Sequence, residues 1–158
     1  MRRPTRTRTR HVTVVLNVLL TVFPQLALAQ VISSLDSPVG VWRTIDDKTR
    51  QPHGLVRVFE RNGELVATIE TSFDPKELND ICDKCPGERK NKKVIGMEIM
   101  RGMRKKGNEY SGGEILDPDT GSIYKCRMTL EAGGKQLVVR GFIGISLVGR
   151  SQIWYREK

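Results

Sequence analysis

The chain has 158 residues, with 27 Lys and Arg against 18 Asp and Glu, a formal net charge of +9 and 38% hydrophobic residues. That is enough apolar material for one domain with its own core. No internal repeat or low-complexity tract is present, and no apolar run after the N-terminal segment approaches the roughly 20 helical residues a bilayer span needs.

The N-terminus reads as an export signal. Arg2, Arg3, Arg6, Arg8 and Arg10 form a basic region without an acid, and residues 12–23 form a short apolar run. Ala27-Leu28-Ala29 is the small-x-small pattern read by signal peptidase, so cleavage leaves Gln30 first. No cysteine stands there to carry a lipid, and Pro4-Thr5-Arg6 does not continue a twin-arginine pattern. Removing residues 1–29 takes away five arginines and no acid, which lowers the formal charge from +9 to +4. The expected organisation is a cleaved signal over 1–29, a linker over 30–38 and a single β-barrel domain over 39–158, with no membrane span in the mature chain.

All fifteen glycines lie between Gly40 and Gly149, as many turns between short strands require. Strands are expected over 40–45, 55–60 and 64–70. Asn62-Gly63 makes the second pair a hairpin, because both residues tolerate positive φ. Asp74-Pro75-Lys76-Glu77 reads as a helix start, with Asp74 as cap, Pro75 at the first helical position and Glu77 at capping-box distance. The helix is expected to end near Cys82, before Pro86 and Gly87.

Further strands follow over 94–103, 109–116, 122–131, 136–143 and 147–156. In the sixth, Tyr124, Cys126, Met128 and Leu130 share one face, and Lys125, Arg127 and Thr129 the other. Eight strands joined by tight turns predict an all-β antiparallel meander. Closure removes exposed edges, so a barrel is favoured over a sandwich.

Two resemblances sharpen this reading. Gly40-Val41-Trp42 on the first strand resembles the Gly-x-Trp signature of lipocalins. In that superfamily the Trp closes one end of an eight-stranded barrel and a late basic residue packs across it; Arg156 is the candidate here. Gly40-Val41-Trp42, Cys82-x-x-Cys85-x-Gly87, Gly113-x-Ile115-x-Asp117-Pro118, Gly121-x-x-Tyr124 and Ile153-Trp154-Tyr155-Arg156 together resemble the exported bacterial family catalogued as domain of unknown function 2147. That resemblance covers nearly all of the mature chain. It implies a lipocalin-like barrel in the bacterial envelope, with the periplasm of a Gram-negative bacterium as the expected compartment. It carries no established activity and no catalytic residues. Proline commonly follows the basic loop in that family, where this chain has Lys93-Val94.

The chemistry-bearing residues are few. Cys82 and Cys85 in an oxidising compartment favour a local disulfide, with a redox pair or half of a metal site as the alternatives. A structural zinc needs about four ligands, so Cys126 and His53 would have to converge from elsewhere. Cys126, on the apolar face of its strand, reads as a buried thiol. Ser/His/Asp catalysis would rest entirely on His53, and Asp46, Asp47, Asp117 and Asp119 read as turn residues. The phosphate-binding glycine patterns are absent.

Residues 89–106 carry Arg89, Lys90, Lys92, Lys93, Arg101, Arg104, Lys105 and Lys106 against Glu98 alone. That run suits an anionic envelope surface or an acidic partner, or reads as two solvated loops at the ends of one strand. No aromatics interleave it for stacking on nucleic acid. The expected function is non-enzymatic, without a cofactor: binding of a small apolar or amphipathic ligand, with Trp42, Tyr124, Met128 and Trp154 lining or closing the barrel. The alternatives are a packed β-domain that engages an envelope partner through its basic loops, and thiol-disulfide exchange at Cys82 and Cys85.

Overall fold

The computed structural model describes residues 35–145 and 147–157. The expected signal and its cleavage site therefore lie outside the described residues, as does most of the expected linker. Eight strands follow one another: β1 Gly40–Ile45, β2 Pro52–Arg61, β3 Glu64–Ser72, β4 Glu98–Lys106, β5 Glu109–Asp117, β6 Ser122–Glu131, β7 Gln136–Phe142 and β8 Gly149–Arg156. Each pairs antiparallel with the next, and β1 returns to β8 through Trp42↔Arg156 and Arg43↔Tyr155. The sheet is a closed barrel in sequence order.

Up-and-down order sorts the connections to two ends. The turns after β2, β4 and β6 lie at one end, and the connections after β1, β3, β5 and β7 at the other. The first set is short for a local reason. Asn62 (φ 54°) and Gly63 (φ 77°) both adopt the left-handed conformation that a two-residue hairpin demands.

Alternation places the core. On β6, Cys126 and Met128 are buried while Lys125 and Glu131 face solvent. Trp42, Met100, Met103, Met128 and Leu137 are fully buried, near the end with the tight turns. Met suits such a place, since its unbranched chain fills irregular gaps between larger side chains.

Two expectations are corrected at the β3–β4 connection. The helix expected near Pro75–Cys82 is a single 3-10 turn, Glu77–Asn79, with a second at Gly87–Arg89. Asp74 Oδ1 does accept from Lys76 N at 2.9 Å. Glu77 turns away from the capping box, however, and its Oε2 takes Ser72 Oγ at 2.5 Å and His53 Nε2 at 2.9 Å. The fourth strand starts at Glu98 rather than 94, because Val94 N donates to Asp80 O and Gly96 N to Ile69 O.

The end of the expected linker is packed. Ser37 O and Val39 O accept from the Arg156 guanidinium at 2.6 and 2.9 Å, and Pro38 O accepts from Trp42 Nε1 at 2.7 Å. Leu35 O lies where a Cβ on Gly134 would stand, so only glycine fits there.

Candidate functional site

One end of the barrel is shut. Arg156 lies over the Trp42 ring, 4.2 Å from its centroid, and also donates to Gly134 O at 2.7 Å. Its guanidinium thus spends its fork on three carbonyls and an aromatic face, and burial draws its pKa below the ordinary arginine value.

The other end holds a cavity of about 480 Å³. Deep in it stand Val56, Ile69, Ile99, Ile115, Val139 and Trp154. These are inward positions of six strands, delivered there by the period-2 alternation. Gly141 presents only backbone to the cavity; a Cβ there would already touch Tyr124 Cβ at 3.4 Å and Ile115 Cγ2 at 3.5 Å, so these two side chains pack against β7 at that level.

The mouth is polar. Asp46 and Asp47 come from the β1–β2 connection, His53 from β2, Glu77 and Asp80 from the β3–β4 connection, Asp117 and Asp119 from around the β5–β6 turn, and Arg150 from β8. Asp47 Oδ2 binds Arg150 Nη2 and accepts from Gln152 Nε2 at 3.2 Å, and Gln152 Oε1 takes Trp154 Nε1 at 3.2 Å. A polar string thus descends from the rim to the indole. Asp46 Oδ1 accepts from Thr49 N at 2.6 Å and Lys48 N at 3.0 Å; these bonds, that of Thr49 first, hold its carboxyl below the usual range. Ile143 and Val148 complete the rim on the β7–β8 side.

Of the four residues proposed from sequence to line or close the barrel, Tyr124 and Trp154 line this cavity. Trp42 and Met128 do not; both are buried in the packed part of the barrel, Trp42 at its closed end. Asp46, Asp47, Asp117 and Asp119 were legible only as turn residues and Glu77 as a cap. They come from three separate connections, and nothing local in the sequence says that these meet around one opening.

Residues 40–156 match the family described as "Uncharacterized protein conserved in bacteria (DUF2147)". The chain belongs to this family. Among solved structures, a similar one is described as "Protein HP1028 from the human pathogen Helicobacter pylori belongs to the lipocalin family". The two share 19% identity over 77% of this chain and 84% of that one, with a TM-score of 0.68. At that identity the likeness speaks for the fold alone, a lipocalin-like barrel. A search of curated proteins gives no match.

In this DUF2147 barrel the Cys-x-x-Cys is a disulfide. Cys82 and Cys85 are bonded, with Cα atoms 5.3 Å apart, and Cys126 is a buried free thiol. Burial pushes the Cys126 thiol up to about 12. The disulfide closes a small hairpin: Cys82 N donates to Lys92 O at 2.9 Å, and Asn91 N to Cys82 O at 2.8 Å. The hairpin lies on the β5–β6 turn. Cys82 Sγ is 3.1 Å from Pro118 O, and Lys84 Nζ donates to Asp119 O at 3.0 Å. Gly121 permits the approach, since a Cβ there would stand 2.1 Å from Lys84 O. Among the described residues no group of three or more His, Cys, Asp or Glu is placed to hold a metal.

The basic run divides. β4 carries Arg101 and Arg104 along the wall, and Lys105 and Lys106 at the closed end, away from Arg89–Lys93 at the mouth end. Three of its arginines are answered across strands: Arg101 by Glu114 at 2.8 Å, Arg104 by Glu64 at 2.6 Å, and Arg89 by Glu114 at 3.7 Å. No described helix is long and apolar enough to cross a membrane.

Proposed function

We propose that this protein is an exported, periplasmic carrier that holds a small apolar or amphipathic ligand in the open end of its barrel. One observation carries the reading. A cavity of about 480 Å³, walled by aliphatic side chains and Trp154, lies behind a polar mouth in a barrel shut at its other end. That volume falls within the roughly 300–1,000 Å³ typical of small-molecule sites. Burying a ligand methylene there contributes about 0.8 kcal/mol, so a short alkyl chain supplies useful affinity without any charge contact. Tyr124 and Trp154 are ligand contacts in this reading, while Trp42 and Met128 support the cavity from below.

Export rests on the basic and apolar N-terminal segment ending in Ala27-x-Ala29. A disulfide in a bacterial protein agrees with an oxidising compartment. Two observations weigh against the rival readings. Both sulfurs of Cys82 and Cys85 are buried, which shields them from an attacking thiolate. Glu64 and Glu114 set two negative charges against the three arginines that a basic docking surface would draw upon, and the remaining lysines are split between two ends.

Native mass spectrometry of protein purified from its own envelope tests the whole reading. The expected spectrum shows a chain beginning at Gln30 with an extra mass that leaves on denaturation. Gly141→Leu puts a side chain into the cavity beside Tyr124, and the extra mass should fall away while the protein still folds and melts where the ligand-free wild type does. A wild-type protein without extra mass, and without affinity for any alkyl compound, would refute the carrier role.

A further inference from the structure

The cavity changes character along its length. Its depth is apolar, while six carboxylates line its mouth: Asp46, Asp47, Glu77, Asp80, Asp117 and Asp119. Among the described residues Arg150 is the one Lys or Arg in the lining, which also includes His53. The chain as a whole carries a formal charge of +9, and still +4 without residues 1–29, so the mouth has the opposite sign to the molecule around it.

Internal contacts do not absorb that charge. Arg150 answers Asp47, and Ser72 and His53 hold Glu77. Asp46 accepts from the backbone N–H groups of Lys48 and Thr49 and from the Thr49 side chain, and Asp117 accepts from the backbone N–H of Asp119. Such bonds favour the ionised carboxylate without cancelling its charge. The carboxylates of Asp80 and Asp119 make no hydrogen bond or ion pair among the described residues. Lys84 donates to the backbone oxygen of Asp119 and does not line the cavity. A cleft with low-dielectric walls and charges of one sign focuses the field on its opening.

We propose that the cavity selects a cationic amphiphile, with its apolar body among Val56, Ile69, Ile115 and Val139 and an ammonium or guanidinium head at the carboxylate mouth. This rests on the carrier reading and narrows it: fatty acids and lipids with an anionic phosphate head are disfavoured. The cavity is the site, and the carboxylates set which head group it admits.

Fluorescence titration of the purified protein tests this, because Trp154 lines the cavity and Trp42 lies in the closed end. The probes are dodecylamine, dodecanol and dodecanoate, each below its micelle concentration at low salt. The ammonium should bind on the order of tenfold more tightly than the alcohol and about a hundredfold more tightly than the carboxylate, and the gaps should close in about 0.5 M salt. A charge about 6 Å away in water changes affinity by about threefold. Asp80→Asn combined with Asp119→Asn should therefore weaken dodecylamine by about tenfold and leave dodecanol unchanged. Equal binding of dodecanoate and dodecylamine, or a double variant that binds the amine as the wild type does, overturns the charge selection and leaves the carrier reading standing. Failure of all three probes overturns both.

Discussion

Trp42 shows what one side chain contributes at the closed end. It is fully buried, its indole N–H is satisfied by Pro38 O, and Arg156 covers its face. Trp42→Ala removes the ring and leaves a cavity beneath a guanidinium, so a loss of about 3–5 kcal/mol is expected from urea unfolding. A loss below about 1 kcal/mol would mean that Arg156 and residues 35–39 close the barrel without it. This pair was legible through the resemblance of Gly40-Val41-Trp42 to the lipocalin signature, which implies a late basic residue, here Arg156, across the Trp. Gly141 was not. A glycine in a strand signals a bulge, a bend or a close approach, and only the structure shows that here Tyr124 and Ile115 pack close against β7 in the cavity wall.

At the scale of elements, the strands were readable and the β3–β4 connection was not. Hairpin turns fix strand boundaries locally, which is why β6 runs over the expected residues 122–131. The capping signal at Asp74 failed because Glu77 finds partners outside its own segment, among them His53, 24 residues away in the chain. The basic run was readable either as a patch or as two solvated loops at the ends of one strand; the glutamates that answer it, Glu64 and Glu114, come from other strands and were not readable.

The disulfide hairpin gives a prediction at this scale. Its loop is very short, so the bond constrains the unfolded chain by only about 2 kcal/mol. The Cys82→Ser, Cys85→Ser double variant should fold, with faster hydrogen exchange over 80–94 and unchanged exchange in β5 and β6. Cys126 should alkylate at pH 8 only after unfolding, since burial holds its thiol protonated up to about 12. Faster exchange spreading into β5 and β6 would show that the hairpin braces the barrel wall through the Pro118 and Gly121 contacts.

The whole molecule is a barrel with no free sheet edge along its order, and its two ends do different work. The seam between β1 and β8 is the most sparsely paired of the eight. It has two register pairs, Trp42↔Arg156 and Arg43↔Tyr155, both near the closed end. Toward the mouth, Asp47 bridges the seam by reaching Arg150 and Gln152 with its side chain. The mouth is therefore held by side chains where the closed end is held by backbone and core. Sequence alternation reveals which residues point inward but not how far they fill the interior, so the cavity could not be read in advance.

Because the empty volume sits inside the cooperative unit, a ligand that binds only the folded barrel must stabilise all of it. Occupancy at 100 times Kd adds about 2.7 kcal/mol. For a domain of this size that raises the melting temperature by on the order of 10 °C. Protein taken from its envelope should melt that much higher than the same protein after unfolding, extraction and refolding, and Gly141→Leu should abolish the difference. Equal melting of native and refolded wild-type protein, with a co-purifying mass present, would place that mass outside the cavity.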